Sequence, residues 1–380
     1  GSADTVAIRG VYTVDTSPTC ETAVGTYVNG AVLSKQRGLE GFLFDVQSLE
    51  IDKGPQGTLF GRNTNGGAIN IITNKPQLAS QVSGEGEIEG GSYNLQRFSA
   101  WLNAPIGDTF AVRLAGQSYA HSGYMKSGLG DANLQAVRLS MLWKPTDRET
   151  LWIVGDQARD HAFLDGAVTN VVGVEPGITT IYVPPNPRDD TFYDGHVNST
   201  ISPFQEQVFT QGLTAENDYN FDFATWTVLF SHRHMDQDPN LAPNNLGQGA
   251  AQVAPDGNTY PGAGHNYTPQ AFQSYSLETP LASTSATPWQ WLLGLYAYWD
   301  HDSGTMIGYP STTSTAAQIQ IAQPFEVVET GAAFGQMTYT PSALSATSSA
   351  SVPLASATAC PVPVHAANSF SNARHSCPVQ

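Results

Sequence analysis

The sequence is poor in charge, in cysteine and in long apolar runs, and each shortage closes off a class of protein. Charged residues are 13% of the 380, about half of the ~25% usual in soluble domains. The 16 Lys+Arg stand against 33 Asp+Glu, for a formal net charge of −17. Binding a phosphate backbone needs clustered basic residues on one face, so nucleic acid is excluded as a partner. Cys20, Cys360 and Cys377 are too few and too dispersed for a disulfide scaffold or a four-ligand zinc site. The longest apolar stretch, Trp291 to Trp299, has nine residues and contains Gly294, well short of the ~18 a spanning helix requires. That excludes a helical membrane protein. Gly and Pro, 36 and 24 residues, fall below the ~25 to 30% of low-complexity disorder. Most of the chain is expected to fold.

Helical periodicity is also scarce, and what is present is strand. Ten segments rich in Thr, Val, Tyr, Phe and Trp lie between turn-formers. They are Val82–Glu89, Asn94–Asn103, Phe110–Tyr119, Asn133–Trp143, Leu151–Arg159, Gln207–Tyr219, Phe223–His234, Phe272–Leu281, Trp289–Trp299 and Gly331–Tyr339. Their length suits the ~9 to 11 tilted residues that cross a bilayer as a strand. After GGSYN, short turns (PIGDT, KPTDRE, NFD, STSATP) alternate with long loops at 120–132, 160–206, 235–271 and 300–330. Tight turns at one end and long excursions at the other form the pattern of an outer-membrane barrel.

Alternation within strands points the same way. Val137, Leu139, Met141 and Trp143 share one parity, and Ala136, Arg138 and Ser140 the other. Trp226 and Phe230 against Thr225, Thr227 and Ser231, and Leu293 and Leu295 against Gly294, Tyr296 and Tyr298, repeat it. Trp101, Trp143, Trp152, Trp226, Trp289 and Trp291 lie near short-turn ends and Trp299 toward a long loop, the placement of interfacial girdles. A soluble β-sandwich or propeller is the alternative that pattern alone leaves open.

Residues 1–79 differ from the rest in being Gly-rich and punctuated by tight turns. Their densest stretch is EIDKGPQGTLFGRNTNGGAINIIT, Glu50 to Thr73. It holds no G-x-x-x-x-G-K-[ST] and no G-x-G-x-x-G between a strand and a helix, so a phosphate-cradling loop is excluded. The stretch closely resembles the plug signature of TonB-dependent outer-membrane receptors. An acidic residue, an apolar residue and a basic-Gly-Pro precede repeated glycines and an Ile-Asn-apolar-apolar-Thr strand. IRGVYT from Ile8, VGTYVNGAVLSKQ from Val24 and FLFDVQSLEI from Phe42 resemble further plug segments in order. The family usually has Arg where this chain has Lys53, and Asp where it has Asn29.

The resemblance implies a mainly β fold: a small mixed α/β plug domain (1–79), then an incomplete antiparallel transmembrane β-barrel (80–341), with about 10 of an expected 22 strands. Residues 342–380, with nine Ser and nine Ala, lack alternation and are expected to be a disordered or frameshifted tail. Signal peptide, coupling box and the earlier plug segment are not visible before Gly1. The implied site is the signature itself: Lys53, Gly54, Pro55, Gly57, Gly61, Arg62, Gly66, Gly67 and Asn70, with Lys53 and Arg62 as candidate partners of lumen carboxylates. No catalytic residue, metal or cofactor is implied, and no enzyme.

What the family implies is active uptake of a scarce ligand, a ferric siderophore or similar chelate, across the bacterial cell outer membrane. The expected partners are outer-membrane lipid, the chelate and the inner-membrane TonB energy-coupling complex. A non-transporting surface receptor, or a defective fragment of such a transporter, is the alternative. His232, His234, Asp236 and Asp238 share a parity that could suit a metal, but that parity is the lipid face, and a solvated strand base is the better reading. Polar clusters at Asp156, Asp160, His161 and at Asp300, His301, Asp302 form an acidic outer rim that could bind a cation or cation-bridged lipopolysaccharide, but polar residues where strands leave the bilayer are the better reading.

Overall fold

The computed structural model describes residues 6–13, 21–57, 63–79, 81–124, 130–163, 172–175, 178–181, 205–240, 252–253, 259–260, 265–267, 269–284, 287–304, 306–309, 320–322, 325–340 and 350–353. Gly61, Arg62 and the three cysteines lie outside them.

The N-terminal unit is a four-stranded sheet in the order β2-β1-β4-β3. Its strands are β1 (Val24–Val28), β2 (Ala31–Leu33), β3 (Val46–Lys53) and β4 (Gly67–Thr73). Asn29 and Gly30, at φ 55° and 79°, make the left-handed two-residue turn whose twist suits a hairpin. Val24, Val28, Ala68 and Ile71 are buried at its centre, each large aliphatic contributing about 1.5–3 kcal/mol by leaving water. The expected mixed α/β character is corrected here: among the described residues the unit's one helical element is the 3-10 turn Leu39–Phe42. Gly38, left-handed at φ 70°, starts that turn, and the chain passes on to β3 within a few residues.

The ten expected strands are all present, longer than anticipated, in one antiparallel meander. They are β5 (Ser83–Gly91), β6 (Leu95–Ile106), β7 (Phe110–His121), β8 (Ala132–Thr146), β9 (Glu149–Phe163) and, past a short hairpin of β10 (Val172–Glu175) and β11 (Ile178–Ile181), β12 (Gln205–Asn220) and β13 (Ala224–Asn240). Short strands β14 (Gln252–Val253), β15 (Thr259–Tyr260) and β16 (His265–Tyr267) precede β17 (Gln270–Ser283) and β18 (Trp289–Gly304). After β19 (Met306–Tyr309) and β20 (Gln320–Ala322) comes β21 (Phe325–Tyr339). An eleventh member, β22 (Ala350–Pro353), pairs with Gln336–Tyr339 inside the stretch where no alternation was read. Among the described residues the sheet is open: β5 pairs on one side with β6, and β22 on one side with β21.

One face of the meander is apolar and exposed. Val137, Leu139, Met141, Trp143, Trp226, Phe230, Leu293, Leu295 and Trp299 all lie on it, as the alternation requires of a lipid-facing surface. The opposite parity is buried and polar, with Arg113, Arg138, Ser140, Asp156, Thr214 and Arg233. Two tryptophans depart from the girdle reading. Trp152 is 2% exposed and donates its indole N–H to Ser140 Oγ at 2.7 Å. Trp101 packs inward beside Phe44. Both sit at lumen parity, where a large ring fills the space between wall and plug, so position along the strand misled where parity would not have.

Candidate functional site

The inner face of the meander closes on the N-terminal unit through a column of charged contacts. Nearest the long-loop end, Lys35 Nζ, just beyond β2, lies 3.1 Å from Asp302 Oδ2 and 4.0 Å from Glu326 Oε2. Deeper, the segment Phe42–Asp45 is held by arginines from the wall. Arg138 donates from Nη1 to the Phe44 carbonyl at 2.6 Å and from Nη2 to the Phe42 carbonyl at 3.3 Å, with its guanidinium 4.3 Å from the Phe44 ring centroid. Arg113 makes a two-pronged pair with Asp45. Arg233 donates to both oxygens of Asp156 at 2.8 Å, and its guanidinium lies 5.5 Å from the Phe42 ring centroid.

Toward the short-turn end, Lys75 Nζ reaches Glu216 Oε1 at 2.6 Å while lying 4.1 Å from the Trp152 ring centroid. Below it the Gln77 backbone and the Asn103 amide exchange hydrogen bonds at 2.9 and 3.0 Å. Glycines let the surfaces approach: a Cβ on Gly41 would overlap Ala158, and one on Gly38 would press on Thr210. The plug therefore touches β6, β7, β8, β9, β12, β13, β17, β18 and β21. A guanidinium holding two backbone carbonyls gives those buried acceptors charge-assisted donors.

The signature residues play a different part. Gly54, at φ 92°, donates its N–H to the Gly66 carbonyl at 3.1 Å. A Cβ on Gly67, at φ 147°, would stand 2.3 Å from the Asp52 carbonyl oxygen, and one on Gly66 2.9 Å from Val11. Asn70 accepts from the Gly30 N–H at 3.2 Å and donates to Glu50 at 3.3 Å. Pro55 and Gly57 are exposed. Lys53 is exposed at the end of β3, without an ion pair among the described residues. The signature shapes the plug, and other cations meet the wall. Lys35, Lys75, Arg113, Arg138 and Arg233 were not singled out from sequence. For Arg113, Arg138 and Arg233 a signal was there, a basic residue at inward parity in a strand otherwise short of charge, whereas Lys35 and Lys75 stand just beyond β2 and β4, where strand parity says nothing.

The acidic rim is likewise rearranged. Asp156 and Asp302 turn inward and pair with Arg233 and Lys35, because they share parity with the buried Val154 and Tyr298. His232, His234 and Asp236 point outward as their parity requires, with His234 Nε2 2.9 Å from Asp236 Oδ2.

No protein-family profile matches the chain. The pesticin receptor of Yersinia enterocolitica is 38% identical over 106 residues, covering 27% of this chain and 15% of that protein. The ferrioxamine receptor of Yersinia enterocolitica is 24% identical over 224 residues, 58% of this chain and 29% of that protein. The matches thus span less than a third of those relatives' length. Among solved structures, the ferric yersiniabactin uptake receptor of Yersinia pestis superimposes with a TM-score of 0.62 at 20% identity, covering 84% of this chain and 45% of that one.

Proposed function

We propose that this chain is part of a TonB-dependent outer-membrane receptor and serves energised uptake of a ferric siderophore or similar ferric chelate. The observation that carries the reading is the plug held against the inner face of the meander. The wall, apolar and exposed on its outer face, anchors the plug through Lys35, Arg113, Arg138 and Lys75. In a receptor whose wall closes around it, such a plug blocks passive conduction and must be moved, and the outer membrane holds no energy source of its own. The division into a plug at 1–79 and barrel strands at 80–341 belongs to the same proposal, with β22 carrying the sheet into the 342–380 segment, as does coupling to the inner-membrane TonB complex. The signature residues Lys53 to Asn70 would set the shape that moves.

The test is uptake. The gene encoding this chain, expressed in a bacterium lacking its own ferric-chelate receptors, should restore accumulation of radiolabelled ferric chelate. Dissipating the proton-motive force should abolish that accumulation while leaving surface binding intact. Accumulation that persists without the force would favour a passive pore. Binding with no accumulation at any time would favour a non-transporting surface receptor.

A further inference from the structure

We propose that the outer face of the wall seats one phosphate-bearing lipid, with an acyl chain in a groove over Gly155 and the phosphate at Arg159. The groove, of about 420 Å³, is sunk into the lipid-facing side of β8, β9 and β12, and its volume is within the ~300–1,000 Å³ of small-ligand sites. Gly155 is its floor, flanked in register by Leu139 of β8 and Leu213 of β12. Val137, Leu139 and Leu213, all exposed, line its sides. The fold does not ask for glycine here. Gly155 is not left-handed, and a Cβ on it would meet only the Gly212 carbonyl oxygen, at 3.8 Å. Gly212, at the opposite parity, shows the contrast: a Cβ there would overlap the Arg233 guanidinium. The missing side chain at 155 therefore leaves room on the lipid side and relieves nothing behind it.

The residues around that floor change in the order in which a lipid changes. Along the outward parity of β9, Ile153 is apolar, Gly155 is the gap, Gln157 is an exposed amide and Arg159 an exposed guanidinium. At ~3.3 Å per residue, Arg159 lies about 13 Å beyond Gly155 on the long-loop side. Gln157 and Gln211 stand opposite one another at the polar lip of the groove, and His232 of β13 also lines it. Arg159 donates to Gln207 Oε1 at 3.1 Å and makes no ion pair among the described residues. A guanidinium is a rigid fork of donors whose geometry matches a phosphate.

Two carboxylates in the neighbourhood are already engaged. Asp156 borders the groove from the inward parity, where it is 7% exposed and paired with Arg233. Asp236 stands across Phe209 from Arg159 in register, and its Oδ2 is 2.9 Å from His234 Nε2. Apolar groove and cation thus favour the same ligand. A neutral diacyl lipid would leave Arg159 without its anion, and a free phosphate would leave the groove unfilled.

The experiment is native mass spectrometry of the purified 380-residue chain in detergent, delipidated and then titrated with dioleoylphosphatidylglycerol. Dioleoylglycerol supplies the chains without the phosphate, and glycerol phosphate the phosphate without the chains. One phosphatidylglycerol should be retained per chain, about tenfold tighter than dioleoylglycerol, the scale of a hydrogen bond to a charged group, and glycerol phosphate should not be retained. Gly155→Leu should weaken phosphatidylglycerol about tenfold, since lost burial of roughly two methylenes suffices. Leu213→Trp, which fills the groove from its other side, should do the same. Arg159→Gln should remove the advantage over dioleoylglycerol, and Ala297→Leu, at the outward parity of β18, should change nothing. Each variant is compared at unchanged far-UV circular dichroism. Binding that survives both Gly155→Leu and Leu213→Trp overturns the groove, and equal retention of phosphatidylglycerol and dioleoylglycerol overturns the phosphate seat. Either result leaves the receptor reading standing.

Discussion

Arg113 on the barrel wall and Asp45 on the plug form a two-pronged ion pair, Nε to Oδ2 at 2.8 Å and Nη2 to Oδ1 at 2.5 Å, across 68 residues of sequence. Both side chains are nearly buried, at 6% and 4% exposure. Asp45 also accepts from Asn74 at 2.9 Å, and the guanidinium lies 4.0 Å from the Trp101 ring centroid. Removing one partner leaves the other charge desolvated, which costs about 3–5 kcal/mol for a buried pair. Asp45→Ala and Arg113→Ala should each lower the unfolding free energy of the detergent-solubilised chain by that order. The double variant should lose much less than the sum. Additive losses in a urea titration would show that the two residues do not act as a unit.

The signature glycines are close-approach positions, and the geometry ranks them. Gly67→Val places a side chain at φ 147° against the Asp52 carbonyl, and Gly66→Val drives one into Val11 and Val24. Neither neighbour is the free end of a flexible chain, so each variant should disrupt the pairing of β3 with β4 and expose the plug to protease. Gly57→Ala, at an exposed position, should be silent. Limited proteolysis separates the three, and an equally resistant Gly67→Val plug would refute the packing argument.

The strands were legible because lipid on one side and water or plug on the other impose period two, which Val137 to Trp143 display against Ala136 to Ser140. The plug was legible only through its resemblance: glycines such as Gly54 and Gly67 mark where backbone must turn or approach, but do not say onto what. The clamp was not legible. Asp45 and Arg113 are separated by a register that no local pattern encodes, and Lys53, the obvious cation of the signature, is exposed while Lys35 and Lys75 make the contacts. The inward tryptophans were misplaced because nearness to a turn was weighed above parity.

Asn29 combines backbone and side-chain roles that two substitutions can separate. It is left-handed at φ 55°, and its buried Oδ1 accepts from the Thr73 N–H at 2.9 Å and the Thr73 hydroxyl at 3.1 Å. Asn29→Gly loses the acceptor but keeps the turn, whereas Asn29→Ala loses both and adds about 1–2 kcal/mol of left-handed strain. Thermal unfolding should order the proteins Asn, Gly, Ala from most to least stable. A Gly variant less stable than Ala would mean that backbone strain is not what the turn asks of this position.

The last prediction tests the bilayer directly. On the outward face of β18, Trp289 and Trp299 are 49% and 48% exposed and ten residues apart. At ~3.3 Å per residue and a tilt of about 40° that interval spans roughly the 25 Å apolar band of an outer-membrane barrel. Leu295, 59% exposed between them, then lies near the bilayer midplane, and Leu292, three residues earlier and at the parity of the buried Tyr298, faces inward. Leu295→Arg should cost about 2–4 kcal/mol in folding into phosphatidylcholine vesicles, the penalty for a lipid-facing arginine at that depth. Leu292→Arg should cost less, because its guanidinium can reach the polar interior. Trp289→Ala and Trp299→Ala, which remove the interfacial anchors, should shift the vesicle thickness best tolerated without abolishing insertion. An equal penalty for Leu292→Arg and Leu295→Arg would mean that the exposed face of the meander does not meet lipid, and the soluble-sandwich reading of the same alternation would regain its standing.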